Sequence, residues 1–166
     1  MRTTGWLAAA LLAPAALLSG CGTASPTSPP TGIDELVVPT PSPDPDDFVT
    51  GLSNPWFPVA DEDGTAEVDG VGVTVVDGDY FAQDRRGNVW WFGTAGEWQA
   101  GVDGAEAGLA MPAEPRYGDS WRAAYVPGEV EDVVAVAEMD DDTVVLEVTS
   151  PLEPGQVERR TVDKRD

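Results

Sequence analysis

Carboxylates are the most abundant reactive groups in this chain: 30 Asp and Glu stand against 9 Lys and Arg, and there is no His. The missing imidazole removes Ser-His-Asp hydrolysis, Cys-His chemistry and the usual zinc sites together. What is left for catalysis is carboxylates, Tyr, Arg and the lone Lys164. Two carboxylates facing each other across a glycosidic bond can hydrolyse it. No acid here stands in a distinctive motif, so the chain is read as a non-enzyme with no cofactor, and a carboxylate-based hydrolase is an alternative. Calcium needs oxygen ligands at fixed spacing. Asp61-Glu62-Asp63-Gly64 and Asp140-Asp141-Asp142 supply oxygens. They lack the spaced acids, the Gly at the sixth position and the Glu at the twelfth that an EF-hand loop needs. Both read as hairpin turns, and no metal site is expected.

A second kind of chemistry needs no reaction: aromatic faces stack on sugar rings, and neighbouring acids accept their hydroxyl hydrogen bonds. "DYFAQDRRGNVWWFGTAGEW", residues 79–98, concentrates such aromatics around one polar turn. "DRRG" suits a type I turn with Asp84 first and Gly87 fourth, the Gly left-handed in a bulged hairpin. That register sets Asp84 opposite Asn88, Ala82 opposite Trp90, Phe81 opposite Trp91 and Tyr80 opposite Phe92. One face then carries Tyr80, Ala82, Trp90 and Phe92, and the other Phe81, Gln83, Val89 and Trp91. Adjacent strand residues point to opposite faces, so both faces are aromatic. Something must cover the second face: another layer, the connection over 101–119, the Pro-rich tract, or a ligand. Phe81, Trp90, Trp91, Trp98 and the loop residue Trp56 are the candidate binding residues, with packing in a core as the competing role. Burial of Trp90, Trp91, Trp98 and Trp121 together would rule out an aromatic binding platform.

The N-terminus says where such a surface would be held. "MRTTGWLAAALLAPAALLSGC" places one Arg before an apolar run from Gly5 to Leu18 that is too short for a comfortable membrane span. This is the layout of a secretory signal peptide over 1–20. Leu18-Ser19-Gly20-Cys21 resembles the lipobox of signal peptidase II substrates, and the resemblance implies that the Cys21 thiol carries a diacylglyceryl group. Cys21 is the chain's one Cys, so no disulfide competes for it. Two acyl chains suffice for stable anchoring. The chain is therefore expected on the extracytoplasmic side of the cell membrane; the competing reading is an ordinary secretory signal with a chance Cys.

Residues 21–47 form a Pro-, Ser-, Thr- and Asp-rich tether. Its repeated prolines favour extended geometry, about 3.1 Å per residue. Ile33, Leu36, Val37 and Val38 interrupt it with a short apolar patch suited to docking as a strand. Residues 48–166 are sized for a single domain. The formal net charge is −21, and losing Arg2 with a signal peptide lowers it by one more. Nucleic acid is excluded as a partner because phosphate binding needs clustered Lys and Arg. An anionic membrane surface repels such a domain, so anchoring falls to the lipid.

Within the domain, short Val- and aromatic-rich segments alternate with Gly, Asp and Pro. Strands are read at "VGVTVV", at 79–84 and 89–93, shortly at 97–100, and at "SWRAAYVP", "VEDVVAVAEM", "TVVLEVTS" and "QVERRTVD". Residues 101–119 read as a long irregular connection, with at most one helical turn over 105–110. The expected fold is mainly β: an antiparallel, twisted sheet or open barrel of about seven or eight strands.

"NPWFPV" at 54–59, "YFAQDRRGNVWWFG" at 80–93, "GEWQAGVDGAEAGLAMPAEPRYGDSWRAAYVPGEVED" at 96–132, and "PLEP" at 151–154 resemble a group of secreted bacterial lipoproteins, actinobacterial in type, of unassigned function. The resemblance covers most of the domain and implies an all-β fold and export, with no chemistry. Two departures stand out. The stretch over 60–79 is short, as though a hairpin were trimmed, and "VERRTVDKRD" ends the chain without the group's aromatic, Gly-rich closing strand. The expected function is a non-catalytic envelope lipoprotein that binds a glycan, a lipid or a partner protein. A purely structural or accessory envelope lipoprotein is the alternative.

Overall fold

The computed structural model describes residues 44–165. The signal region, Cys21 and nearly all of the tether lie outside them. A 3-10 turn, Pro45–Asp47, capped by Asp44 Oδ1, leads into β1, Phe48–Val49. The first sheet continues through β2 (Gly64–Val68), β3 (Val71–Val76), β4 (Asp79–Asp84), β5 (Val89–Thr94), β6 (Trp98–Gln99) and β7 (Glu106–Met111). β8 (Ser120–Arg122) and β9 (Ala124–Tyr125) follow, then β10 (Val133–Met139), β11 (Thr143–Thr149) and β12 (Glu158–Asp163).

The fold is mainly β and antiparallel throughout, in two sheets that do not close into a barrel. The eight-stranded sheet runs β2-β3-β4-β5-β7-β9. β1 pairs with Gln83 and Asp84, beyond the end of the β3 pairing on β4, and β6 pairs with Gly93 and Thr94, beyond the β7 pairing on β5. The four-stranded sheet runs β12-β11-β10-β8. Its two central strands, β10 and β11, alternate buried and half-buried residues over most of their length, turning Val134, Val136, Val144 and Leu146 into the shared core.

Several sequence expectations are corrected. The expected irregular connection over 101–119 contains β7, a largely buried strand between β5 and β9. "EAGLAM" is built from Ala, Leu and Met, which favour helices, and carries no period-2 pattern because both its faces are covered; pairing on both edges overrides the local preference. "SWRAAYVP" is two strands in different sheets. The chain leaves β8, passes Ala123 and enters β9, crossing from the four-stranded to the eight-stranded sheet. Asp140–Asp142 is a hairpin turn as expected, with Asp140 Oδ1 accepting from Asp142 N and Thr143 N. Asp61–Gly64 is instead the entry to β2, where Asp63 N donates to Val75 O and Asp63 Oδ2 accepts from Asp77 N. Ordered packing also begins ahead of Phe48, since Arg85 N donates to Asp47 O.

The aromatic hairpin follows its predicted register from Asp84 to Phe81, with Gln83 opposite Val89, Ala82 opposite Trp90 and Phe81 opposite Trp91. Beyond that a bulge intervenes: Tyr80 lies opposite Gly93, not Phe92. The strand must bend there because β6 crowds Gly93. A Cβ on Gly93 would sit 2.2 Å from Trp98 O, and its φ of +139° suits only Gly.

Candidate ligand cleft

Three Val-Asp-Gly turns recur in the eight-stranded sheet, two of them closing opposite ends of β3. Asp69-Gly70, Asp77-Gly78 and Asp103-Gly104 all hold both residues at positive φ, between 50° and 87°. The first two are two-residue turns between paired strands, Val68 with Val71 and Val76 with Asp79. Asp tolerates the left-handed conformation and Gly prefers it, which is why these dipeptides make mirror-image turns that match strand twist. The third turn closes with Ala105 N donating to Val102 O, and Gly101 N donates to Ala105 O beneath it. Gly101 packs directly on the Asp69 carboxylate: a Cβ there would lie 2.7 Å from Asp69 Oδ1.

Between the first and third turns lies a cleft of about 340 Å³. Val71, Phe92, Ala105 and Ala107 line it with apolar surface, Pro45 closes one side, and Asp69, Gly101 and Glu106 complete the lining. Asp69 is exposed, while Glu106 is half-buried and bonded to the Arg122 guanidinium. Arg122 also lies over the Tyr125 ring, 4.6 Å from its centroid, so Glu106 is held from behind by a stacked cation. The volume is at the small end of ligand pockets. An apolar floor with two carboxylates suits a small neutral or amino-bearing ligand with one apolar face. Among the described residues, no group of three or more Asp, Glu or Cys is placed to hold a metal ion.

The candidate aromatics are mostly elsewhere. Trp56, Trp90 and Trp98 are buried at 6%, 2% and 9% exposure, so none offers an open stacking face; Trp121 is buried as well. Their burial follows from the second layer the hairpin lacked on paper. The segment over 52–57 covers one part of the hairpin's second face, where Phe57 meets Phe81 edge-on at 4.9 Å. Trp98, Ala105 and Ala124 cover the other part, with Trp98 edge-on to Trp91 at 5.0 Å. Phe81 and Trp91 are the two candidates that stay half-buried, and the Trp91 indole N–H donates to Gly93 O. The structure thus brings Trp91 and Trp98 together and leaves Phe81 and Trp56 apart from them.

The polar residues of the same motifs form a buried network. Asp84 Oδ1 accepts from Arg86 N and Asn88 N, and Oδ2 accepts from Asn88 Nδ2 and Trp90 Nε1. Gln83 Oε1 accepts from Ser53 N and Asn54 N. Asn54 Nδ2 donates to Gly87 O and Pro112 O, and Asn88 Oδ1 accepts from Ala113 N. "NPW", "AQDRRGNVW" and "MPA" are therefore one structural joint that ties the entry segment, the hairpin turn and the end of β7 together. The cleft residues Asp69, Phe92 and Glu106 were missed by sequence reasoning. The Val-Asp-Gly turns at 68–70 and 102–104 flank the cleft, and turn chemistry alone does not bring together two turns that are distant in the chain. No family model matches this chain, and no curated protein or solved structure matches it.

Proposed function

We propose that this chain is a lipid-anchored, extracytoplasmic envelope protein whose domain binds, without catalysis, a monosaccharide-sized unit of a neutral or amino-bearing glycan. The observation that carries the binding reading is the cleft between the Asp69-Gly70 turn and the 101–105 loop, with its apolar floor and carboxylates at Asp69 and Glu106. Val71 and Phe92 are buried beneath the cleft and keep its floor apolar, so recognition falls to the carboxylates, which accept hydroxyl or ammonium protons. Anionic ligands are disfavoured by the strongly negative chain. A carboxylate hydrolase needs one acid in an apolar enclosure and a second group poised opposite it. Asp69 is instead exposed and Glu106 is ion-paired.

Titration with a panel of neutral and amino sugars, followed by backbone chemical shifts, is the test. Shifts should cluster at Gly101, Ala105 and Ala107, and Asp69→Asn, which suits the left-handed turn and keeps the packing on Gly101, should weaken binding several-fold while leaving the thermal transition in place. A flat response across the panel would leave the accessory-protein reading, which the burial of Trp56, Trp90 and Trp98 favours. The anchor is tested separately: Cys21→Ser should move the protein from the membrane fraction into the medium. Retention in the membrane would remove the lipoprotein reading.

A further inference from the structure

The four-stranded sheet ends on β12, and no described strand pairs with its outer edge. Lys164 N donates to Asp142 O at 2.7 Å, and Val162 and Arg160 lie opposite Val144 and Leu146 of β11. Backbone groups alternate in direction along an antiparallel strand. Arg160 and Val162 therefore turn theirs toward β11, and Arg159, Thr161 and Asp163 turn theirs outward. All three are exposed. Arg165 N donates to Pro55 O, which bounds this open edge just past Asp163.

Open edges invite pairing and are usually blunted by charge. Here two pairs of charges invert about Thr161, Glu158 with Lys164 and Arg159 with Asp163, while Arg160 is mirrored by the neutral Val162. When a second copy is laid antiparallel with Thr161 opposite Thr161, Arg159 faces Asp163 twice and Glu158 faces Lys164 twice. Centring on Arg160 would set Arg160 against itself, and centring on Val162 would set Arg160 against Lys164. Like charges directly opposite destabilise a pair, so charge selects the Thr161 register. That register also matches the outward-pointing residues with one another, as ladder bonds require.

We propose that β12 pairs with β12 of a second copy of this chain, antiparallel about a two-fold axis at Thr161, joining the two four-stranded sheets into one. The interface is self-complementary, as a two-fold contact must be. Arg159 already meets Glu138 at 2.8 Å and Glu147 at 3.4 Å, and the second copy's Asp163 completes an acidic ring around it. One strand edge buries less than the roughly 1,600 Å² of a standard interface, so the dimer is weak and concentration-dependent. This inference is independent of both the cleft and the lipid.

Sedimentation equilibrium of the full chain carrying Cys21→Ser, in neutrally buoyant detergent, should show a mass that doubles between about 1 and 200 μM. Asp163→Arg and Arg159→Asp should each weaken self-association about tenfold or more by placing like charges at both symmetric positions. Mixed together, the two variants should pair again, because each Arg then meets an Asp. Thr161→Cys should cross-link to a dimer under mild oxidation, and Thr149→Cys, exposed on β11, should not. A monomer at every concentration overturns the proposal, as does a dimer indifferent to both charge variants or one that Thr161→Cys fails to cross-link.

Discussion

Gly108→Ala should cost about 3 kcal/mol or more and lower the unfolding midpoint by about 10 °C. Gly108 lies in β7 opposite Trp91 of β5, and on its other side the chain passes from β8 through Ala123 to β9. A Cβ on Gly108 would stand 2.0 Å from Ala123 O, 2.2 Å from Ala123 C and 2.5 Å from Ala124 N. Those are backbone atoms, so no side chain can rotate away. Either β7 or the crossing strand must shift, and β7 is held by pairing on both edges. Gly72→Ala is the matched control. It is also a strand glycine, it is exposed, and its Cβ would meet nothing within 4 Å. That change should stay within about 0.5 kcal/mol of the parent. Equal melting of the two variants would mean that the two sheets are not joined by a close crossing at Ala123.

The second large effect is expected at Asp84. Asp84→Ala should cost about 3–5 kcal/mol, because it leaves buried donors without partners rather than merely removing a bond. Four N–H groups converge on this carboxylate, one of them the indole of Trp90, whose ring is 2% exposed. The loss should spread through the joint. Asn88 positions Ala113, and the Gly87 carbonyl holds Asn54, so the entry segment over Trp56 loosens with the turn. Chemical denaturation gives the free energy, and hydrogen exchange at Asn54, Asn88 and Ala113 reports the spread. A loss below about 1 kcal/mol would mean that the turn's backbone alone holds the hairpin.

How much of this was legible depended on whether the signal was local. The Asp84–Gly87 turn and the pairs Ala82–Trp90 and Phe81–Trp91 follow from turn chemistry and a period of two, and both belong to the chain segment itself. The bulge opposite Tyr80 did not, because the β6 carbonyl that crowds Gly93 is not part of the hairpin. β7 was illegible for the same reason: Ala, Gly, Leu and Met carry no strand signal, and pairing on both edges makes them one. The motif residues were read as a possible gripping surface because sequence places aromatics on both faces without showing what covers the second. The covering residues come from segments around Phe57 and Trp98.

The sequence by itself determined the mainly β class, the turns at Asp84–Gly87 and Asp140–Asp142, the acidic surface and the exclusion of imidazole chemistry, since these depend on composition and on neighbours a few residues apart. Tertiary structure alone decided which aromatics are core, where the chain changes sheets and where the cleft opens. Each of these rests on contacts between residues distant in the chain, such as Asp69 with Gly101, Gly108 with Ala123 and Asn54 with Pro112. No local pattern encodes such a contact; it exists only once both sheets are packed around their shared core.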